Sequence, residues 1–326
     1  MGNIVASAKS APPPDDFSHT PEFGLDLGEP KKDAAPTREE SDSCKVGSFE
    51  ELPRKTKEVL AKPFEGCKFT WNKMITDRFQ ATHTINMSSF KPANYKFGTT
   101  YVGSKKLGQN EQYPILISEY GGGMVQFQGI HSFSNEIQAK AVIHATEKSF
   151  SMYQADVGYK GENFSAQITG VNASIINPQG IWVGHYLQRI SKNLSLGGEL
   201  MFQHGMGAKA AMITYGGMYK DDKSELVVKT GEQGTHLCYY NKGNDQVECG
   251  VEFEYVKQIG ESVTTFGYSI DLPKGLSKFR GSVDSDWSVT GVLEKRFEAF
   301  PFCFSLSGLL NHKKNQAKFG IGFTIG

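Results

Sequence analysis

The last nine residues, Lys318-Phe-Gly-Ile-Gly-Phe-Thr-Ile-Gly326, alternate apolar side chains with small or polar ones. Successive side chains of an extended strand point to opposite faces. One face therefore carries Phe319, Ile321, Phe323 and Ile325, and the other carries Lys318, Gly320, Gly322 and Thr324. Such a strand fits a soluble sheet, and it equally fits the closing strand of a transmembrane β-barrel, whose apolar face meets lipid. The rest of the chain decides between the two.

The composition excludes two classes of protein. Lys plus Arg and Asp plus Glu each number 35 in 326 residues, so the chain lacks the basic excess that is typical of nucleic-acid binders. No run approaches the roughly 18 apolar residues that predict a transmembrane helix. A membrane barrel stays open, because its alternating strands average out as hydrophilic. The 36 glycines and 12% aromatic residues are typical of many strands and tight turns.

The N-terminus has no basic stretch followed by an apolar one, so we expect no secretory signal. A membrane barrel that reaches its membrane from the cytosol indicates a eukaryotic organelle. The five cysteines are odd in number and form no CxxC pair, which predicts free thiols in a reducing compartment. A cross-strand disulfide between Cys238 and Cys249 is the alternative. No histidine has HExxH or zinc-finger spacing, so we expect no metal, no cofactor and no catalytic residues, and hence not an enzyme.

Three regions follow from the patterning. Residues 1–47 hold six of the thirteen prolines and an acidic excess, which predicts a disordered tail. Residues 48–66 read as a short helix and connector. That helix begins either with a capping box of Ser48 and Glu51 or with Pro53 as its first residue. It packs on a sheet in one interpretation and enters a barrel lumen in the other. Residues 67–326 form the β-region.

Nineteen candidate strands fill residues 67–326, and most span about 8–11 residues, the length that crosses a bilayer at a tilt. No long helical pattern interrupts them, so a βαβ enzyme fold is disfavoured. Side chains cannot fill the interior of a ring with about nineteen strands, so the inside is wet and the apolar set faces lipid. The predicted fold class is all-β, a transmembrane antiparallel barrel of about 19 strands.

Carboxylates gather on the predicted lumen face of four successive strands. The residues are Glu248, Glu252, Glu254, Asp271, Asp284 and Glu294, with Asp286 joining them at a turn. In one interpretation this is a solvated face that Lys278 and Arg280 partly neutralise. In the other it attracts cations, because charges that line a channel select permeants by sign. A basic extended or helical peptide would then be a natural permeant, held by weak exposed contacts.

The chain closely resembles the pore-forming subunits of the translocase of the outer mitochondrial membrane, the TOM complex. No single matching stretch is specific, but the set is, and it covers most of residues 48–326. The stretches are Phe79–Thr84, Thr100–Gly103, His185–Gln188, Gly197–Leu200, Gly250–Glu254, Asp271–Lys274, Gly281–Trp287, Leu310–Asn315 and Gly320–Gly326. The N-terminal tail does not match in detail.

The resemblance implies parallel pairing of the first and last strands, a helix segment inside the lumen, and a multi-pass barrel in the mitochondrial outer membrane. It implies that precursor proteins with basic presequences pass along the acidic lumen face. Lys318, Gly320, Phe323 and Ile325 would form the sorting signal that the sorting and assembly machinery recognises. Further implied partners are receptor and small helical TOM subunits, another copy of the chain and membrane lipid, with no nucleic acid.

Two other functions stay open at this point. A metabolite porin of the voltage-dependent anion channel type would share the strand count, but it should have a basic lumen and no long acidic, Pro-rich extension. A soluble β-rich binding protein or enzyme would place the apolar set inside.

Overall fold

The computed structural model describes residues 46–88, 92–107, 111–147, 149–172, 179–205, 208–297 and 301–326. The predicted tail, residues 1–47, lies almost wholly outside the described residues and stays a prediction. One short helix, α1 (Arg54–Val59), precedes the sheet, and a 3₁₀ turn spans Pro273–Gly275. The strands are β1 (Gly66–Thr76), β2 (Phe79–Met87), β3 (Asn94–Leu107), β4 (Glu111–Gly121), β5 (Met124–Ser132), β6 (Ile137–Thr146), β7 (Phe150–Lys160), β8 (Phe164–Val171), β9 (Gly180–Arg189), β10 (Leu194–Gly205), β11 (Ala208–Lys220), β12 (Ser224–Gly231), β13 (Gly234–Lys242), β14 (Val247–Val256), β15 (Glu261–Leu272), β16 (Ser277–Asp284), β17 (Ser288–Phe297), β18 (Phe302–Asn311) and β19 (Gln316–Ile325).

The nineteen strands form one closed sheet in which each strand pairs with its neighbours along the chain. All of these pairs are antiparallel except the closing one, where β1 and β19 run parallel with Gly66 opposite Gly320 and Trp71 opposite Ile325. A ring with an odd number of strands cannot alternate direction throughout, so one parallel contact is required. The predicted barrel, its strand number and its parallel closure are all confirmed.

The two faces of the barrel are inverted relative to a soluble protein. Large apolar side chains project outward and stay exposed, as with Ile168 (61% exposed) and Phe319 (67%). Small polar side chains such as Thr82, Ser269 and Ser307 are buried on the inner face. Exposed apolar surface on this scale is unfavourable in water and favourable in lipid. In the described part of the chain, no helix is both long enough and apolar enough to cross a membrane.

The N-terminal helix is shorter than its sequence pattern suggests. It begins at Arg54, with Pro53 as the preceding cap residue, and it ends where Leu60 turns to an extended backbone. This start lies one residue after the one predicted from Pro53. The Ser48 amide does donate to Glu51 Oε2 (3.2 Å), which is half of a capping box, but the Ser48 hydroxyl donates to Gln167 Oε1 (2.7 Å) on the barrel wall instead. Ser48 therefore attaches the segment to β8 rather than capping α1.

Four cysteines lie in the described residues, Cys67, Cys238, Cys249 and Cys303, and all four are free thiols. Cys238 faces the lumen opposite Glu252, whereas Cys249 lies at an outward position opposite Asn241. Side chains on opposite faces of a sheet cannot form a bridge, so the alternative of a Cys238–Cys249 disulfide is wrong.

Candidate functional site

The segment from Val46 to Glu65 crosses the barrel lumen. At one end, the Val46 amide donates to the carbonyl of Gly161, after β7, and the Ser165 hydroxyl of β8 donates to the Gly47 carbonyl. At the other end, the Phe64 amide donates to Ser307 Oγ of β18. Strands β8 and β18 lie far apart around the ring, and one short segment reaches both walls only from inside. The lumen position of the helix is therefore confirmed.

Phe49 is the apolar anchor of this segment. It is 1% exposed and belongs to a buried cluster with Val46, Leu52, Leu187, Val227 and Cys238. Its ring stacks on His185 (6.0 Å between centroids) and lies under the ammonium group of Lys229 (4.5 Å). Gly216 of β11 leaves room for the ring, because a Cβ there would lie 2.7 Å from Phe49 Cε2. Apolar burial and a cation–π contact thus attach the segment to the wall.

Contacts with α1 identify which face of β14 and β15 lines the lumen. Gly250 on β14 lies against Thr56 and Val59, and Gly267 on β15 lies against Leu60. Positions two residues apart share a face, so β14 presents its three predicted glutamates to the lumen. The strand register extends this face to β16 and β17. Six of the predicted acidic residues therefore occupy lumen positions: Glu248, Glu252, Glu254, Asp271, Asp284 and Glu294.

Several of these carboxylates have partners on the wall. Glu252 Oε1 lies 2.6 Å from His236 Nε2, and Glu248 accepts a hydrogen bond from the Tyr240 hydroxyl (3.1 Å). Arg280 donates to Glu294 Oε1 at 3.3 Å. Lys278 stands in register between Asp271 and Glu294 on the neighbouring strands. The lumen face is thus partly neutralised, as the first interpretation of the sequence expected.

The remaining acidic residues differ in position. Among the described residues, neither Glu254 nor Asp284 lies within ion-pair distance of a cation. Asp286 lies in the turn between β16 and β17, where its carboxylate accepts from Lys313 (3.1 Å) of the turn between β18 and β19. Asp286 is therefore at the rim, whereas Glu254 and Asp284 present charge to the lumen.

The rest of the lumen carries charges of both signs. Lys96 on β3 pairs with Glu119 on β4 (2.6 Å), and Lys160 on β7 pairs with Glu51 of the internal segment (3.2 Å). Lys55 of α1 pairs with the buried Glu225 on β12 (2.6 Å). Among the described residues, Glu254 on β14 and Asp284 on β16 lie outside any such pair, and together with Glu248 and Glu252 they form what we call the acidic patch. Lys57 and Lys62 of the internal segment lie near Glu252, so this patch is partly balanced from the lumen side.

The closing strand combines barrel closure with packing against the internal segment. Gly320 faces inward, and any Cβ there would overlap the carbonyl oxygen of Phe64. Lys318 reaches Glu65 at 3.6 Å. On the outer face, Phe323 packs against Phe302 and Phe304 of β18, with ring centroids 5.7 and 5.2 Å apart. Ile325 pairs with Phe302 and Trp71 across the two adjacent strands.

Sequence reasoning missed two features of the lumen. Phe49 lies in the stretch that the sequence predicts to be a short helix and connector, and nothing local marks it as an anchor. His236 and Cys238 share one face of β13 and meet Glu252 of β14, a cluster that no sequence motif describes. Strand periodicity alone would have placed His236 and Cys238 on one face, but only the register brings Glu252 to them.

Comparison with known proteins agrees with this architecture. A family model described as eukaryotic porin matches residues 45–320. The chain is 37% identical over 340 residues to a mitochondrial import receptor subunit TOM40 homolog of Xenopus tropicalis, and the match covers 100% of both chains. It is 38% identical over 281 residues to the human TOM40 homolog, which covers 86% of this chain and 78% of the human one. It is 37% identical over 284 residues to TOM40 homolog 2 of Drosophila melanogaster, covering 86% and 84%.

Proposed function

Because the chain belongs to the eukaryotic porin family and, within it, to the TOM40 import receptor subunits, we propose that it conducts precursor proteins across the mitochondrial outer membrane. It is a β-barrel of that membrane and a transport protein rather than an enzyme. The observation that carries the proposal is a closed nineteen-stranded barrel with a polar lumen, matched over its full length by import receptor subunits. A porin family alone does not separate an import pore from a metabolite porin, whereas the names of these relatives all point to import.

The proposed path for basic presequences is the acidic patch on β14 and β16. Glu254 and Asp284 lie outside any ion pair within the described residues, and Glu248 and Glu252 are held by hydrogen bonds to the neutral Tyr240 and to His236. Exposed charge pairs contribute about 0.5 kcal/mol each, so a presequence would be attracted without being trapped. Negative charge at a pore wall also favours the passage of cations over anions.

A single-channel recording tests this path. The variant carries Glu248→Gln, Glu252→Gln, Glu254→Gln and Asp284→Asn, and the measurement is block by a basic presequence peptide. Four lost contacts of about 0.5 kcal/mol sum to about 2 kcal/mol, so the concentration for half block should rise about thirtyfold, with weaker cation preference.

The matched control removes four acidic side chains from hairpin turns: Glu162→Gln, Asp221→Asn, Asp222→Asn and Asp245→Asn. It should block like the parent, because these residues lie outside the lumen. Unchanged block in the lumen variant would contradict the acidic path. Anion preference in the parent would instead favour the metabolite porin.

We also propose that Lys318, Gly320, Phe323 and Ile325 act as the sorting signal for membrane insertion. Phe323→Ala is the informative substitution, because its ring lies on the outer face and packs against Phe302 and Phe304 of the neighbouring strand. Import into isolated mitochondria should yield normal synthesis but reduced assembly into the outer membrane. Phe304→Ala, which removes the partner ring of the same contact, should assemble better than Phe323→Ala. Equal assembly of the two variants would attribute any defect to packing rather than recognition.

The assembly partners are proposed from the same family relation. They are receptor and small helical subunits of the import complex, the sorting and assembly machinery, and another copy of the chain. The relatives are described as import receptor subunits, which supports membership of such a complex. Co-purification from mitochondria in mild detergent measures this association. Recovery of the chain only as a lone barrel would contradict the proposed partners.

A further inference from the structure

A cluster of three metal-ligating side chains lies on the lumen wall between β13 and β14. His236 and Cys238 are two residues apart on β13 and share its inner face, and Glu252 of β14 stands directly opposite Cys238. His236 Nε2 lies 2.6 Å from Glu252 Oε1 and 3.4 Å from Cys238 Sγ. The three ligand atoms all lie within 4.8 Å of one another. One imidazole nitrogen therefore sits beside both a thiol and a carboxylate.

These distances are close to those that a tetrahedral zinc ion requires. Zn–N and Zn–S bonds of about 2.0 and 2.3 Å place the nitrogen and sulfur ligands about 3.5 Å apart. The Nε2–Sγ distance of 3.4 Å already meets this condition. The Nε2–Oε1 distance must increase by less than about 1 Å, which a rotation of the Glu252 side chain can provide. The distance from Cys238 Sγ to the Glu252 carboxylate, within 4.8 Å, must close toward about 3.5 Å. Pairing of β13 and β14 through this region keeps the three residues next to one another.

The charge balance also suits a divalent cation. Zinc binds cysteine as thiolate, histidine as neutral imidazole and glutamate as carboxylate, so a filled site has no net charge. Lys57 and Lys229 lie near Cys238, and Lys62 lies near Glu252; Glu254, opposite His236, offsets part of this positive charge and offers a further oxygen donor. The His236 and Glu252 side chains keep about a fifth of their surface exposed, which leaves an entry path from the lumen.

We propose that His236, Cys238 and Glu252 bind a zinc-class divalent cation, with a fourth position open to water or to Glu254. The site lies on the wall beside the internal segment, because Cys238 belongs to the buried cluster of Phe49 and the neighbouring Gly250 contacts α1. A structural His236–Glu252 hydrogen bond beside an inert thiol is the competing explanation. Glu252 and Glu254 also belong to the proposed presequence path, but metal binding is measured without a presequence and without pore current, so failure of one proposal is distinguishable from failure of the other.

The test uses the full chain refolded in detergent, with Cys44, Cys67, Cys249 and Cys303 replaced by Ser so that Cys238 is the only thiol. The protein is treated with a chelator, dialysed and titrated with Co²⁺. Thiolate bound to cobalt gives a charge-transfer absorption in the near ultraviolet, which should saturate at one ion per chain and disappear when Zn²⁺ is added. A matched protein keeps Cys303 instead of Cys238. Cys303 also lies at an inner-face position, on β18, so it controls for a lumen thiol outside the cluster.

In the Cys238-only protein, His236→Gln and Glu252→Gln should each weaken cobalt binding at least tenfold, because each removes a ligand. Glu252→Gln retains an oxygen that can accept from His236, so the wall should stay folded. Strand content by circular dichroism checks folding in every variant. A saturable signal in the Cys238 protein alone, weakened by both substitutions, supports the proposal. Its absence from the folded parent, or an equal signal in the Cys303 protein, overturns the proposal in favour of the purely structural pair.

Discussion

Replacing Phe49 by Ala should release the internal segment from the barrel wall. Phe49 is 1% exposed, stacks on His185 and lies under Lys229, so truncation removes nearly a whole buried ring and its cation–π contact. Truncation of a buried Phe to Ala typically costs 3–5 kcal/mol. The barrel is held by its own backbone ladder, so we expect the cost to fall on docking of the segment rather than on the sheet.

Cys238 reports on this docking. It is 0% exposed and lies in the same cluster as Phe49, so it becomes reachable when the segment leaves the wall. A loss of about 3 kcal/mol raises the undocked population about a hundredfold. When docking is fast relative to modification, the labelling rate follows that population. The rate of maleimide labelling at Cys238 should therefore rise about a hundredfold in Phe49→Ala.

The assay compares the Cys238-only protein with and without Phe49→Ala, in detergent, under pseudo-first-order maleimide. Phe319→Ala is the matched control, because this ring projects outward from the barrel and is 67% exposed. It should label at the parent rate. Unchanged labelling in Phe49→Ala, with the folded barrel retained, would show that Phe49 does not hold the segment. An equal increase in Phe319→Ala would show that the barrel itself had loosened.

Two further substitutions test local features of the wall. Gly320→Ala should destabilise the pairing of β19 with β1, because its Cβ overlaps the carbonyl oxygen of Phe64. Gly308→Ala should be tolerated, since its Cβ meets ring carbons of Phe319 at 3.9 Å. The folded Gly320→Ala barrel should be cleaved faster by protease than the Gly308→Ala barrel, and equal resistance would contradict the predicted clash. Leu276, which follows the 3₁₀ turn with φ +47°, adopts a left-handed conformation that costs a non-glycine residue about 1–2 kcal/mol. Leu276→Gly should therefore raise the unfolding free energy by up to about 1 kcal/mol after the entropy of glycine is subtracted, as measured by urea unfolding in lipid, and a decrease would refute the reasoning.

Gly320 has a packing role in the folded barrel, and this affects how the proposed sorting signal can be tested. The sequence pattern presents Gly320 as part of a sorting signal, yet its close approach to Phe64 makes it necessary for packing in the finished barrel. A failed assembly of Gly320→Ala thus has a structural cause whether or not the residue is recognised. Phe323, whose contacts lie on the outer face, separates recognition from packing more cleanly.

Strand number, the two faces of each strand and the direction of the apolar face were all predictable from the sequence. Alternation with a period of two is a local property, so it can be read from the residues of a single strand, as in Lys318–Gly326. The size of the ring then left only an outward apolar face, since side chains cannot fill so wide an interior. The acidic positions on β14 to β17 follow from the same periodicity, and the strand register puts them on one face with the glycines that contact α1.

Only the tertiary structure decided which inner-face residues meet. Ser48 binds Gln167 across 119 residues of chain, and Phe49 finds its pocket on β9, β11 and β12, contacts with no local signal in either partner. The ladder Asp271–Lys278–Glu294 and the His236–Cys238–Glu252 cluster depend on register, which is set by turn lengths and ring closure. Periodicity assigns a side chain to a face, but closure of the ring assigns it a neighbour, and neighbours determine the chemistry of the lumen.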